Sequence, residues 1–271
     1  MAKFGVEFET TVPNTCDVTI GSYHRGLQVN WLARGWKAER DASINAAWGR
    51  RGCEFVSPIL DSENGGIEQA AEAAKAIAQR GGKVNASCGL HVTVEWNGDA
   101  KALARLIHLF ANHEKGIYAA TGTKRRERGS YAKPCKVYGN ERSAKAQLDR
   151  DRFHGLNLTH VAAGRNRVEF RVFSASLNPT KIKGFIMMAL ALVELACDSS
   201  RRCSWDYNEK PNTKPSWKRD GVGQTELARL FYKIGWIKGK AKNAYGAPEG
   251  TNLKPVKKIL AKMAKKYDEQ A

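Results

Sequence analysis

The sequence contains no Cys-x-x-Cys pair. Its six cysteines, Cys16, Cys53, Cys88, Cys135, Cys197 and Cys203, stand at wide, irregular spacings. That excludes a zinc knuckle or dithiol redox motif and predicts reduced thiols, as expected of a cytoplasmic protein. Long apolar runs are also missing. The longest, Gly184 to Val193, lies between Lys183 and Glu194 and is too short to cross a bilayer, so no membrane partner is expected. A leader segment is not expected either, because the N-terminus enters a strand pattern at once. No internal repeat is found. Acids are scarce in the later part: residues 101–271 hold 15 Asp and Glu against 35 Lys and Arg, while residues 1–100 hold 12 against 10. The formal net charge is +18. Such a field attracts polyanions, whether nucleotide phosphates, nucleic acid or acidic substrates.

What is present begins with alternating strands. In Arg165-Asn166-Arg167-Val168-Glu169-Phe170-Arg171-Val172-Phe173, Val168, Phe170 and Val172 share one face, and Arg167, Glu169 and Arg171 share the other. Phe4-Gly5-Val6-Glu7-Phe8-Glu9 repeats the scheme, with Glu7 and Glu9 roughly 7 Å apart along the chain. Two carboxylates so close repel unless a cation or an arginine stands between them. Gly52 to Leu60 reads as a short strand bearing Glu54 and stopped by Pro58. Leu90, Val92 and Val94 alternate with His91, Thr93 and Glu95 on another. Asn157 and Thr159 share the polar face of Gly155–Thr159, which is expected to form a hairpin with the Arg165 strand.

Between these strands the spacing predicts helices over 66–80, 99–120 and 181–197. His108 and His113 fall on the outer surface of the second and are assigned no chemistry. Residues 14–52, with Trp31, Trp36 and Trp48, read as loops and short pieces around a cleft. The section from Thr121 to Arg152 changes character, and within it Thr123 to Pro134 reads as a mobile basic loop, either solvated or a lid that grips phosphate. From Ser204 onward two amphipathic helices, about 224–234 and 252–267, are joined by a Gly/Lys-rich loop from Gly235 to Gly250. With 15 Lys and Arg against 7 Asp and Glu, residues 204–271 read as a basic appendage to a catalytic domain of residues 1–203. Its lysine face is either solvated or in contact with nucleic acid or an acidic partner.

Collected, the polar faces offer Glu7, Glu9, Glu54, His91 and Glu169, followed by Arg165, Arg171 and the arginine loop. Carboxylates with one imidazole suit Mg²⁺ or Mn²⁺, and arginines grip phosphate oxygens. Metal, arginine and basic lid together meet the needs of phosphoryl transfer from a nucleotide. Two other classes stay open: a nucleic-acid-binding protein that uses the basic half, and a Mg²⁺-dependent nuclease.

The order of Gly5-x-Glu7-x-Glu9, Asp41-x-Ser43, Glu54-Phe55-Val56-Ser57-Pro58, Cys88-Gly89-Leu90-His91-Val92 and Val168-Glu169-Phe170-Arg171-Val172-Phe173 resembles the putative amidoligase family. That family is a branch of the glutamine synthetase-like carboxylate–amine ligases, and the resemblance covers roughly residues 1–200. It implies an α+β fold: a curved, mainly antiparallel sheet with helices packed on its convex face. It also implies ATP as substrate, Mg²⁺ or Mn²⁺ as cofactor, and an acyl phosphate that an amine converts to an amide or isopeptide bond. Glu9 and Glu54 would hold the metal near the acyl phosphate. Glu7, His91 and Glu169 would hold the metal on the nucleotide. Arg171 would stabilise the transferring phosphoryl group, and Arg128, Arg165 and Asn157 would contact nucleotide or substrate. The chain departs from the pattern at Thr93, where many relatives have a second histidine, and in offering one acid in the Glu54 stretch. Either departure leaves one metal less well held. The identity of acid and amine, and the oligomeric state, stay open.

Overall fold

Alternation in the sequence becomes register in a sheet. A computed structural model describes residues 2–206, 221–237 and 244–270. In chain order its elements are β1 (Lys3–Pro13), β2 (Leu27–Gln28), β3 (Lys37–Glu39), β4 (Arg50–Val56), β5 (Leu60–Asp61), α1 (Gly66–Gln79), β6 (Gly89–Glu95) and α2 (Ala100–Thr121). There follow α3 (Arg125–Arg128), α4 (Glu141–Leu148), β7 (Leu156–Asn157), α5 (Thr159–Ala162), β8 (Arg167–Ser174), α6 (Pro179–Cys197), α7 (Val222–Lys233) and α8 (Lys254–Asp268). The strands form one open sheet in the order β2-β3-β4-β1-β6-β8-β7, with β5 paired to the start of β1. Every strand pairing is antiparallel, so the fold is α+β.

One sheet face is apolar. Phe4, Val6 and Phe8 of β1, Leu90, Val92 and Val94 of β6, and Val168, Phe170 and Val172 of β8 are each at most 3 % exposed. Helices α1, α2 and α6 cover that face and pack on one another. The expected inner stripe of α2, from Leu103 to Ile117, is buried, as is the Met187-Met188 pair of α6. Capping explains where these helices begin. Asp99 accepts a hydrogen bond from the Ala102 amide at 2.7 Å, and Asn178 accepts one from Lys181, just ahead of Pro179. Gly122 ends α2 with a positive φ of 77°, a conformation open to glycine. Pro58 cannot donate to a ladder, so β4 stops before it. There the Val6 amide donates to the Ser57 hydroxyl at 2.9 Å.

Three expectations meet differences. The stretch from Thr123 to Pro134 is not loop throughout, because it contains α3; beyond it, a 3-10 turn at Lys136–Tyr138 and α4 follow before Arg152. A helix of four residues, closed by Gly129, is too short to show a helical period in the sequence. His113 is not on a surface: it is 2 % exposed, because α7 packs over that side of α2. Burial first, then the nearby charges of Arg229 and Lys233, pull its pKa down to about 3, so it is neutral at physiological pH. His108 is partly buried, with Nε2 2.7 Å from Glu141. The helices of the expected appendage, α7 and α8, pack on α2 and α6, and Leu227, Phe231, Val256 and Leu260 join the same continuous core. Part of the expected Gly235–Gly250 loop, residues 238–243, lies outside the described residues. Among the described residues no helix is long and apolar enough to cross a membrane.

This packing makes a prediction about the chain's last helix. Val256, Leu260, Ala264 and Tyr267 are buried, and a large apolar side chain contributes roughly 1.5–3 kcal/mol. Deleting residues 254–271 is therefore expected to lower a single calorimetric unfolding transition of the whole chain. A transition for residues 2–203 that survives unshifted would contradict it.

Candidate active site

Cross-strand pairing assembles the acids on the sheet's other face. Glu9 stands opposite Glu54, and Glu54 opposite Glu39, so three carboxylates form a row across β1, β4 and β3. One row away, Glu7 stands opposite His91 of β6. Strand β8 supplies Glu169 and Arg171 through an irregularity. Leu90 pairs with Phe173 and Val92 with Phe170, which leaves Arg171 and Val172 together opposite His91. A bulge of this kind re-aims side chains. It keeps Arg171 beside His91 and turns Phe173 into the core, where it stacks on Phe185 with ring centroids 4.8 Å apart. Unbroken alternation would have set Phe173 on the polar face.

His91 is the hub. Its Nδ1 lies 3.0 Å from Glu7 and 3.6 Å from Glu169, and its Nε2 lies 3.2 Å from Glu9. Arg171 donates from Nη1 to Glu169 at 2.8 Å, and the Asn157 amide donates to the other Glu169 oxygen at 2.5 Å. Both oxygens of Glu169 are thus engaged within the protein. Glu9, Glu54, His91, Glu169 and Arg171 are all buried.

Two sets of ligand atoms converge. Glu7, Glu54 and His91 form one trio, and Glu9, Asp41 and Glu54 form the other; within each, the atoms lie within 4.8 Å of one another. Glu54 belongs to both. Burial, followed by the charges of Glu7, Glu9, Asp41 and Glu39, pushes the Glu54 pKa up to about 10. Burial pushes Glu7 upward too. The hydrogen bond and charge of His91, with Arg171, outweigh it and hold Glu7 below the ordinary carboxylate value. A carboxyl kept protonated among four acids lacks a counter-charge, and oxygen donors with one imidazole are the ligands that hard divalent cations take. The residues fit Mg²⁺ or Mn²⁺.

The two sets lie between two clefts. The wider, about 790 Å³, is lined by Glu7, Glu54, Glu169, Asn157 and Arg165. The narrower, about 510 Å³, is lined by Glu9, Ser43, Arg125, Arg126 and Tyr131. His91 and Arg171 line both and form the wall between them. Of the candidates read from sequence, Glu7, Glu9, Glu54, His91, Asn157, Arg165, Glu169 and Arg171 therefore converge here. Arg128 does not. It is exposed at the end of α3 and lines neither cleft.

Arg126, two residues earlier, takes the inward position. Its Nη2 donates to the Arg171 carbonyl. A Cβ on Gly89 would lie 2.8 Å from that same nitrogen, so a side chain at 89 would push the guanidinium from the place it occupies. The Gly89 amide in turn donates to Glu9. The end of α8 fastens α3 in place: Tyr267 donates to Glu127, and Gln270 accepts from the Lys124 amide at 3.0 Å and donates to the Gly122 carbonyl at 2.8 Å. Sequence reading missed Asp41 and Arg126 as site residues. Asp41 stood in a quoted motif without a role, and Gly89 signalled a close neighbour without naming it.

The protein is thus an α+β chain whose antiparallel sheet carries a carboxylate–histidine–arginine face between two clefts. Residues 1–137 match the model of the family described as "Putative amidoligase enzyme", and the chain belongs to that family. Membership supports a ligase activity. No curated protein matches the chain.

The Glu54 shift predicts a pH dependence. Its folded pKa of about 10 lies above the ordinary 4.5, so the folded state binds more protons between the two values. The contribution of Glu54 to the stability of the cation-free protein is then fully present below about 4.5 and is lost as pH rises toward about 10, opposite in sign to that of Glu7. Thermal unfolding in EDTA is expected to show it as a difference between wild type and Glu54→Gln that changes with pH across this range. A profile identical in wild type and Glu54→Gln would refute the assignment.

Proposed function

We propose that the protein is an ATP- and Mg²⁺-dependent carboxylate–amine ligase that forms an amide through an acyl phosphate. One observation carries the reading: two ligand trios share Glu54, with Glu7, Asp41 and Glu54 lining the wide cleft, Glu9 lining the narrow one, and His91 and Arg171 lining both. The wide cleft suits a nucleotide. Val56, Pro58 and Ile59 give it an apolar side, and Lys37, Arg165 and Arg167 give it cations for phosphates. The narrow cleft suits the acid.

In this reading Glu7, Glu54 and His91 hold one cation and Glu9, Asp41 and Glu54 the other, with Glu169 supporting His91 and Arg171. When bound, the cations neutralise phosphate oxygens. The protein's own residues orient the reactants. Arg171, fixed by Glu169 and the bulge, donates to the phosphoryl group as it crosses the wall. The acid's carboxylate oxygen bonds to the γ-phosphorus while the bond to the leaving ADP oxygen breaks. The amine nitrogen then attacks the acyl carbon, phosphate leaves and a proton is released. Burial of the face keeps water from intercepting the acyl phosphate.

A second reading rests on α8. Lys254, Lys258, Lys262 and Lys266 repeat every four residues on its exposed side, about 6 Å apart by helical rise. Such a row fits a polyanion contact, either nucleic acid or an acidic partner, alongside the ligase site. Changing Lys258 and Lys262 together to Glu is expected to weaken salt-sensitive binding of RNA or DNA and leave ATP binding unchanged. Equal RNA and DNA affinity in wild type and variant would remove this contact from consideration.

The test of the main reading is calorimetric ATP-analogue binding with and without Mg²⁺, in wild type, Glu7→Gln and Glu169→Gln, followed by turnover. Binding is expected to need Mg²⁺, and both variants to lose turnover by about a hundredfold or more while keeping the wild-type circular dichroism. Full turnover in both variants would overturn the metal assignment. Mg²⁺-dependent cleavage of RNA or DNA without ATP binding would replace a ligase with a nuclease.

A further inference from the structure

The narrow cleft is strongly unbalanced in charge. Arg125, Arg126 and Arg171 line it against a single acid, Glu9. That acid is already engaged, accepting from the Gly89 amide and lying 3.2 Å from His91. Of the three guanidinium groups, Arg171 is neutralised from behind by Glu169 at 2.8 Å. Arg125 and Arg126 have no carboxylate within ion-pair distance among the described residues. The Nε atoms of Arg126 and Arg171 are both buried and make no hydrogen bond. Buried donors are normally paired, so two orphaned guanidinium N–H groups beside one cavity mark the place of a missing acceptor.

The cavity is also built to keep Arg126 there. The absent Cβ of Gly89 makes the space the guanidinium occupies, and the hold of Tyr267 and Gln270 on α3 fixes the helix that carries it. Ser43 and Tyr131 also line the cavity and carry hydroxyls. A monocarboxylate with its reactive group at Arg171 would leave the outer part of this cavity with uncompensated positive charge. An acid with a second anionic group would satisfy it.

We infer that the narrow cleft selects an acid substrate carrying a second anionic group, carboxylate or phosphate, which Arg126 and Arg125 bind while the first carboxylate meets Arg171. The inference rests on the ligase reading for which carboxylate reacts, but the anion selectivity is measurable without turnover. Bidentate Arg–oxyanion contacts are the strong form of this recognition, and the exposed Arg125 at the mouth adds steering.

The test is calorimetric binding of matched acids of equal chain length to the full chain: dicarboxylates, phosphonocarboxylates and monocarboxylates. Wild type is expected to favour the doubly anionic acids by about tenfold or more, with the better of the two classes identifying the second group. Arg126→Gln is expected to bring the ratio close to one, and Arg126→Lys to restore only part of it. Arg125→Gln, at an exposed position that carries no folding risk, is expected to lower the ratio and make it less sensitive to salt. Equal binding of singly and doubly anionic acids by wild type, no binding of either at millimolar concentration, or a ratio unchanged in both variants would overturn the inference. ATP-analogue binding measured on the same samples separates the two readings. Nucleotide binding without acid discrimination sinks the inference alone, and discrimination without nucleotide binding sinks the ligase.

Discussion

Mutual repulsion among carboxylates is the constraint around which this molecule is arranged. Glu7, Glu9, Asp41, Glu54 and Glu169 crowd about His91 on one side of a sheet, and the row through Glu54 brings in Glu39 as well. Burial makes the repulsion worse, because the low dielectric that screens water also strengthens like-charge interaction. The protein answers with donors at fixed points: the imidazole of His91 between Glu7 and Glu9, and the guanidinium of Arg171 against Glu169. Glu54 has neither, and its carboxyl rises to about 10. The apolar side of the sheet, with three large helices packed on it, supplies the rigidity that holds so unfavourable a cluster together.

The fold was readable where periodicity was clean. Alternation in β1, β6 and β8 assigned each side chain to its face, and the apolar spacing of α2, α6, α7 and α8 located those helices to within a few residues. The spatial meeting of Glu7, Glu9, Glu54, His91, Glu169 and Arg171 followed from the resemblance of motifs and from faces of like polarity. Three features were not readable. The bulge at Arg171–Val172 shows in the sequence only as the adjacent apolar pair Val172-Phe173, and its position is a property of the pairing with β6. The choice of Arg126 over Arg128 depends on a two-residue rotation around a short helix whose direction is set by α8. Burial of His113 depends on α7, more than a hundred residues away, covering a face that local sequence leaves polar.

Charge distribution takes on a different meaning in the folded chain. The basic excess after residue 100 is not held apart from the acids of the first part. Arg126 and Arg171 enter the acidic face, Arg165 and Arg167 rim the wide cleft, and the exposed lysines of α8 lie outside it. Arg171 and Glu169 therefore need each other: each supplies the counter-charge that lets the other be buried.

The grip of Tyr267 and Gln270 on α3 links the extreme C-terminal region to a residue of the cleft wall. The acids of β1, β4 and β6 all lie within the first 95 positions, and the strand bearing Arg171 ends by position 174. A ribosome must add nearly a hundred more residues before Arg126 is locked in position. The nascent chain thus carries a nearly complete acidic face well before its arginine wall is fixed.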